Sequence, residues 1–267
     1  MKLTIFGASL ILIVALAGIL APALTSHDPY AMSLPQQFQP PSADHIFGLD
    51  QNGSDVFSRV VFGARISLSV AFIVVTISGL IGLLVGSAAG YFEGWIDTAF
   101  MRTIDMLHAF PGFLLAIAMV AVMGPSLQNL ILAMCLTGWT GYARLVRGEV
   151  LHLKARDYVL AARATGAGPA RLLVFHIWPN LVGALTVQAT FGMAGTVLAE
   201  SSLSFLGLGA PPTEPTWGSL LNAGRRALIE APHLSFFPGL AIFILVLGFN
   251  LFGDGLRDLL DPKRTKT

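Results

Sequence analysis

The sequence predicts an all-α integral membrane protein with about six transmembrane helices. Of its 267 residues, 54% are hydrophobic and only 12% are charged, and the mean hydropathy is +0.72. Soluble domains, by contrast, carry roughly 25% charged residues. Each span needs roughly 20 residues, so the chain has room for about six spans but not for a second, soluble catalytic domain.

Six apolar runs are the candidate spans, and polar or proline-containing segments separate them. The first run exceeds the roughly 7 to 15 residues of a signal-peptide core, so we interpret it as a retained membrane anchor. The third run has only 14 residues, which is short for a span unless residues 104–108 enter the membrane interface. The six runs cover residues 3–24, 66–91, 110–123, 127–146, 181–208 and 236–252.

The polar segments divide the chain into two parts. Residues 1–65 hold the anchor and a proline-rich segment that we place outside the cytoplasm, and residues 66–267 form the core transmembrane domain. Asp50 and Asp55 lie in the polar segment, but their spacing does not match a calcium-binding loop, and we predict no metal site. Residues 93–105 carry four charges and predict an aqueous loop after the second run.

Three glycines form a stripe in the second run. Gly82, Gly86 and Gly90 recur every four residues, which places them on one face of a helix. Because glycine has no side chain, such a face lets a neighbouring helix approach closely. The stripe therefore predicts a close helix pair inside the bundle.

Composition and missing motifs exclude several function classes. The net charge is only +1 and the basic residues are spread over loops, so we predict no nucleic-acid partner. A lone cysteine, Cys135, excludes an internal disulfide and a cysteine-based metal site. The sequence has no Gly-Lys pair and hence no P-loop, and it has no His-Glu-x-x-His zinc motif. We therefore predict that the chain is not an enzyme and holds no catalytic residue or cofactor.

The stretch from Asp157 to Pro179 lies between two apolar runs but contains good helix formers. A Gly-Ala-Gly-Pro sequence interrupts this stretch. The pattern therefore predicts two short helices that are joined by a tight turn, and the second helix is expected to stop at Pro179. Gly166 or Gly168 can supply a left-handed cap for the first helix. Pro169 suits the first position of the second helix, where its missing N–H is not needed.

This stretch resembles the EAA loop of ABC importer permeases. The matching residues are Ala161-Ala162, then Gly166 after three residues, then His176-Ile177-Trp178-Pro179 after nine more. The His-x-x-Pro-Asn ending is similar to the dipeptide, oligopeptide and nickel branch of these binding-protein-dependent transport system inner membrane components. Leu160 stands where the family has the acidic residue that names the motif. Further similar stretches are residues 48–59, 198–209 with 217–218, and 250–262.

The resemblance implies a type I ABC importer permease fold and a role for the loop over about residues 147–180. In the family this loop is the cytoplasmic coupling element, which docks into a groove on the ATPase subunit. His176 and Pro179 would orient the loop. Taken alone, the stretch is also compatible with an amphipathic helical loop that binds no partner. The implied ATPase-coupling residues are Arg156, Asp157, Tyr158, Ala161, Ala162, Arg163, Thr165 and Gly166.

The resemblance also implies the partners and the transport mechanism. A second, homologous permease would form the pathway as a heterodimer, two ATP-binding subunits would bind ATP and Mg, and an extracytoplasmic substrate-binding protein would deliver the cargo. Alternating access would move the cargo, which in relatives is most often a dipeptide or oligopeptide. Nickel, glutathione or another small solute stays open as an alternative. Loop arginines would contact acids of the ATPase or anionic membrane lipid.

The distribution of basic residues predicts the orientation. With six spans and a cytoplasmic N-terminus, twelve of the sixteen Lys and Arg residues lie on the cytoplasmic side. This agrees with the positive-inside rule. We therefore expect a multi-pass protein of a bacterial or archaeal cytoplasmic (inner) membrane, with both termini and the coupling loop in the cytoplasm.

Glu200 is the acidic residue that lies within an apolar run. A charge at mid-membrane costs roughly 2.5 to 3.5 kcal/mol on translocon scales, so Glu200 should lie near the outer interface or face a partner or cavity. It is either part of a polar helix end with Ser201, Ser202 and Ser204, or a gate or pathway residue. A proton-coupled secondary transporter, the rival class, would use such an acid.

Overall fold

The computed structural model describes residues 2–211 and 213–260. The end of the C-terminal matched stretch, Asp261-Pro262, and three of the basic residues counted above, Lys263, Arg264 and Lys266, lie outside the described residues, as does Pro212. The α-helices are α1 (Lys2–Ile19), α2 (Ala21–Leu24), α3 (Val56–Phe92), α4 (Gly94–His108), α5 (Gly112–Met123), α6 (Leu127–Leu153), α7 (Asp157–Ala164), α8 (Pro169–Leu172), α9 (Trp178–Phe205), α10 (Trp217–Gly224) and α11 (His233–Leu260).

The predicted helical membrane fold is confirmed, and each of the six apolar runs overlaps a helix. Four helices are long and apolar enough to cross a membrane: α1, α3, the continuous helix Pro169–Phe205 and α11. The pair α4 and α5 meets the same criterion jointly and is bent by 80°. The remaining run, the fourth along the chain, forms α6, which has 27 residues but is more polar than the others.

The predicted aqueous loop at residues 93–105 is wrong, because residues 94–105 lie in α4. No proline interrupts them, and their acids are spaced so that they point to one side, towards α6. The helix ends before Pro111, which disfavours helical conformation in the residue that precedes it. The short run alone does not meet the criterion for a span, and it does so only together with α4.

Helix α3 begins ten residues earlier than the second apolar run. Asp55 caps it, since its side chain accepts a hydrogen bond of 2.7 Å from the backbone N–H of Ser58, the usual role of aspartate at this position. A buried ion pair between Arg59 and Asp50 then ties the first turn to the preceding loop. The division that we drew at residue 65 thus falls inside this helix.

The glycine stripe of α3 packs directly on the backbone of α6, as predicted. A Cβ atom added at Gly82 would lie 2.9 Å from the backbone N of Ala143. At Gly86 it would lie 2.5 Å from the carbonyl oxygen of Ala143, and at Gly90 it would lie 2.9 Å from that of Arg147. The two helices therefore pack too closely for any side chain at the stripe.

Helix α1 packs along α11. A Cβ atom added at Gly7 would lie 2.5 Å from the backbone N of Phe252 and 2.7 Å from the carbonyl oxygen of Gly248. Glycine on both helices thus permits close contact here as well. The first and last helices lie side by side and complete the bundle around α3 and α9.

Candidate functional site

The loop that the sequence singled out is attached to the bundle through one buried side chain of α7. Val159 is 2% exposed and packs against a cluster that contains Val146 and Val150 of α6, together with Leu172 and Ile177. The rest of the α7 surface points away from the bundle. Because only one face of α7 packs on the bundle, its other faces are available to solvent or to a partner protein.

Most of the proposed coupling residues lie on this outward surface. Tyr158 is 44% exposed and Leu160, which replaces the acidic residue of the motif, is 47% exposed. One of the eight proposed coupling residues, Ala162, is half-buried and packs against the cluster that contains Val159. The seven exposed ones are Arg156, Asp157, Tyr158, Ala161, Arg163, Thr165 and Gly166.

Gly166 ends α7 in a Schellman motif. Its φ is +90°, and its N–H donates to the carbonyl of Arg163 at 3.0 Å while the N–H of Ala167 donates to that of Ala162 at 3.1 Å. These two bonds define the motif and favour glycine at the left-handed position. Gly168 has a φ of −74°, so Gly166 provides the cap. Pro169 begins α8, as predicted.

The predicted stop at Pro179 is wrong. Helix α8 continues through a π-helical turn, Leu173–Ile177, into α9, and Pro179 lies in the first turn of α9. Because proline has no N–H, it leaves the regular helical hydrogen-bond ladder with a gap. The π-turn accommodates this gap, since the N–H of Trp178 donates to the carbonyl of Leu173 five residues earlier. Helix α8 is therefore continuous with the fifth candidate span.

His176 lies in the π-turn, and its neighbours fix that turn to the bundle. Its Nδ1 is 3.4 Å from the carbonyl oxygen of Arg171, a long contact, while Asn180 donates a 2.7 Å hydrogen bond to the His176 carbonyl. The Trp178 indole N–H donates to Ser87 Oγ of α3 at 3.0 Å. The orienting hydrogen bonds of this turn thus come more from Trp178 and Asn180 than from the histidine ring.

Ion pairs join α4 to α6, and the sequence analysis did not predict them, because the charged residues of α4 indicate a loop. Arg147 binds both carboxylate oxygens of Asp97, at 2.5 and 2.6 Å, and Arg144 contacts Asp105 at 2.7 Å. The acids at positions 97 and 105 are two helical turns apart, and this spacing is the signal that was available in the sequence.

Lys154, at the end of α6, ties the start of the loop to α3. It forms an ion pair with Glu93, and its Nζ donates to the carbonyl of Gly90 at 2.9 Å. Burial lowers the pKa of Lys154 from its ordinary value, and the charge of Arg163 lowers it further. The adjacent Glu93 carboxylate acts in the opposite direction, because a nearby negative charge favours the charged form of a lysine.

Glu200 is fully buried among hydroxyl groups. Ser204 Oγ donates to its carboxylate at 2.9 Å, and Ser67 Oγ of α3 and Ser201 Oγ both donate at 3.3 Å. This arrangement satisfies the acid inside the bundle, as buried polar groups require. In this conformation Glu200 joins α9 to α3, and the gate or pathway role stays a prediction.

Comparison with known proteins identifies relatives over nearly the whole chain. The family described as binding-protein-dependent transport system inner membrane component matches residues 82–266. The dipeptide transport system permease protein DppC of Alkalihalophilus pseudofirmus is 45% identical over 98% of this chain and 86% of its own length. The glutathione transport system permease protein GsiD of Escherichia coli O6:K15:H31 is 49% identical over 84% of this chain and 74% of its own length.

Solved structures show the same fold. The inward-facing MetNI methionine ABC transporter superposes with a TM-score of 0.60 at 20% identity, over 76% of this chain and 96% of the compared chain. Identity at that level supports the type I importer permease fold and nothing finer. With the family match and the relatives above, the chain belongs to the binding-protein-dependent transport system inner membrane components, the multi-pass permeases of ABC importers.

Proposed function

We propose that this chain is one permease subunit of an ATP-driven importer and that it forms the translocation pathway with a second, related permease. Two ATP-binding subunits would supply ATP hydrolysis with Mg, and an extracytoplasmic binding protein would deliver the substrate. The observation that carries the proposal is the 45% identity to a dipeptide permease over 98% of the chain. Transport, and not catalysis in this chain, is the function.

The exposed surface of α7 would contact the ATPase. Val159 and the Gly166 cap hold α7 in a fixed position on α6, and the next helix runs without interruption from Pro169 to Phe205. A displacement of α7 would therefore reach the fifth span through a stiff element. This is the arrangement that alternating access requires, because a flexible loop would dissipate the motion.

Dipeptides or oligopeptides are the substrate class that we propose. The relatives named for dipeptide or peptide transport are 44 to 45% identical over 96 to 98% of this chain, whereas those named for glutathione are 47 to 49% identical over 84%. Glutathione is itself a tripeptide derivative, so the two groups share an amide-containing cargo. Nickel or another small solute is the alternative.

The orientation belongs to the same proposal. The loop of α7 and α8 would face the cytoplasm of a bacterial or archaeal cell, with both termini on that side. Arg156, Arg163 and Arg171 are all exposed and would meet acids of the ATPase or anionic lipid, in line with the positive-inside rule.

Uptake into proteoliposomes tests the proposal. We would purify the chain in mild detergent with its bound partners, identify them by mass spectrometry and reconstitute the complex. Uptake of a labelled dipeptide should require ATP, resist a protonophore and decrease when unlabelled oligopeptide competes. Uptake that instead follows an imposed proton gradient, in a complex without an ATPase, would identify a secondary transporter and make Glu200 the residue to replace. Competition by glutathione or Ni²⁺ alone would change the substrate class.

A further inference from the structure

Two histidines and an aspartate converge outside the coupling region, in the segment between α2 and α3. His27, His45 and Asp55 each offer one ligand atom, and these atoms all lie within 4.8 Å of one another. The rings of the two histidines are 4.6 Å apart between centroids. The cluster brings together parts of the chain 28 positions apart, from His27 to Asp55, so it is a tertiary feature and not a sequence motif.

The Asp55 side chain is held in place because it caps α3. Asp55 Oδ2 accepts the 2.7 Å hydrogen bond from Ser58 that caps α3, and the side chain is 4% exposed. The other oxygen, Oδ1, faces His45 Nδ1 at 3.0 Å. Carboxylates that bind metals are usually fixed by such a second hydrogen bond, and here the cap performs that task.

The backbone of His45 is fixed as well. Its N–H donates to Ser42 Oγ at 3.1 Å, and its carbonyl accepts from the N–H groups of Ser42 and Gly48, each at 2.9 Å. The ring is therefore presented to Asp55 by a closed turn. Two of the three groups thus have the preorganisation that a binding site needs.

The distance between His45 and Asp55 fits a small divalent ion. Bonds of about 2.0 to 2.1 Å in tetrahedral geometry separate neighbouring ligand atoms by about 3.3 Å, close to the 3.0 Å between His45 Nδ1 and Asp55 Oδ1. His27 must approach by a small side-chain rotation, and its half-exposed position leaves room for this. The fourth position would be filled by water.

We infer that His27, His45 and Asp55 form a binding site for a divalent transition-metal ion of the Zn²⁺ class. Two imidazoles and one carboxylate suit such ions, whereas Mg²⁺ and Ca²⁺ prefer sites made of oxygen ligands. The ion would link the segment after α2 to the first turn of α3. The inference is independent of the proposed transport function, since it concerns the stability and metal content of this chain.

Metal titration of the purified full-length chain, without a histidine tag, tests the inference. After treatment with EDTA, Co²⁺ should give visible absorption bands of a four-coordinate site, and Zn²⁺ should displace it at one ion per chain. Zn²⁺ should also raise the unfolding temperature by several degrees. In His27→Ala both effects should disappear, or the Zn²⁺ affinity should fall at least tenfold. His152→Ala, an exposed histidine beside Arg156, is the matched control and should behave as the wild type.

The same data separate a metal site from a simple hydrogen-bonded pair. If His45 and Asp55 only bind each other, His45→Ala will lower the unfolding temperature equally in EDTA and in Zn²⁺, and the wild type will bind no stoichiometric metal. That result would overturn the inference. Zn²⁺ binding that is unchanged in both His27→Ala and His45→Ala would overturn it too, since the ion would then lie elsewhere.

Discussion

Glycines serve opposite purposes in two regions of this protein. In the stripe of α3 they remove side chains so that α6 can pack against the backbone, and an added Cβ at Gly82 or Gly86 would collide with it. At the end of α7, Gly166 has a φ of +90° and nothing within 4 Å of an added Cβ. The first region needs the small size of glycine, whereas the second needs its conformational freedom.

This difference separates effects on folding from effects on partners. A side chain added to the α3 stripe meets the protein itself, so the damage should appear as lost stability. A side chain added at Gly166 meets only open space, so any damage beyond local strain should come from a molecule outside the chain.

The largest effect on stability is expected for Gly82→Ala. The new methyl group would lie 2.9 Å from the backbone N of Ala143 and 3.0 Å from the carbonyl oxygen of Trp139, and neither atom can move without shifting α6. Overpacking of this kind typically costs about 1 to 3 kcal/mol. Thermal unfolding of the detergent-solubilised chain should show a clearly lower midpoint and a lower yield of folded protein.

Gly79→Ala is the matched control, because it lies in the same helix and its nearest neighbour to an added Cβ is 3.9 Å away. It should be neutral or slightly stabilising, since alanine favours helix formation. Equal loss of stability in the two variants would contradict the idea that close backbone contact decides the outcome.

The largest effect on transport with little effect on folding is expected for Gly166→Arg. A non-glycine residue at positive φ costs of order 1 kcal/mol, and the arginine side chain would project from the exposed end of α7. If this surface docks into an ATPase, ATP-dependent uptake should fall at least tenfold while expression and membrane insertion stay normal. Uptake and the amount of co-purified ATPase would be measured on the same membranes.

Gly94→Arg controls for strain and added charge. Gly94 also has a positive φ, +60°, and open space around an added Cβ, but it is the first residue of α4 and is not part of the α7 surface. We expect it to lose the same small amount of stability and to keep its uptake. Normal uptake in Gly166→Arg, or an equal defect in both variants, would refute a docking role for the end of α7.

Sequence reasoning succeeded where local chemistry decides the structure. The Gly166 cap, Pro169 at the start of α8 and the packing face of α3 were all predictable, because turn residues and helical periodicity act over a few positions. Most of the proposed coupling residues are indeed on an exposed helix. Their contacts with an ATPase depend on another chain and stay a prediction.

Sequence reasoning failed where distant residues decide the structure. Local chemistry predicts that the helix stops at Pro179, but a π-turn accommodates the missing N–H and Trp178 fixes that turn to Ser87 of α3. The charges of α4 indicated a loop because their partners on α6 are 39 and 50 positions away. The convergence of His27 with His45 and Asp55 is equally non-local, and no spacing rule describes it.

The smallest effect on stability is expected for removal of the ion pairs between α4 and α6. The Asp97 side chain is 18% exposed and bound by two nitrogens of Arg147, whereas the Asp105 side chain is 58% exposed and contacts Arg144 through one nitrogen. Exposed pairs contribute about 0 to 1 kcal/mol, and the more buried, two-nitrogen contact should lie at the upper end of that range.

Asp97→Ala should therefore lower the unfolding temperature by a few degrees, and high salt should reduce this difference from the wild type. Asp105→Ala should change the unfolding temperature by less than half as much. A reversed order of the two variants would contradict the idea that the less exposed, two-nitrogen pair contributes more to stability.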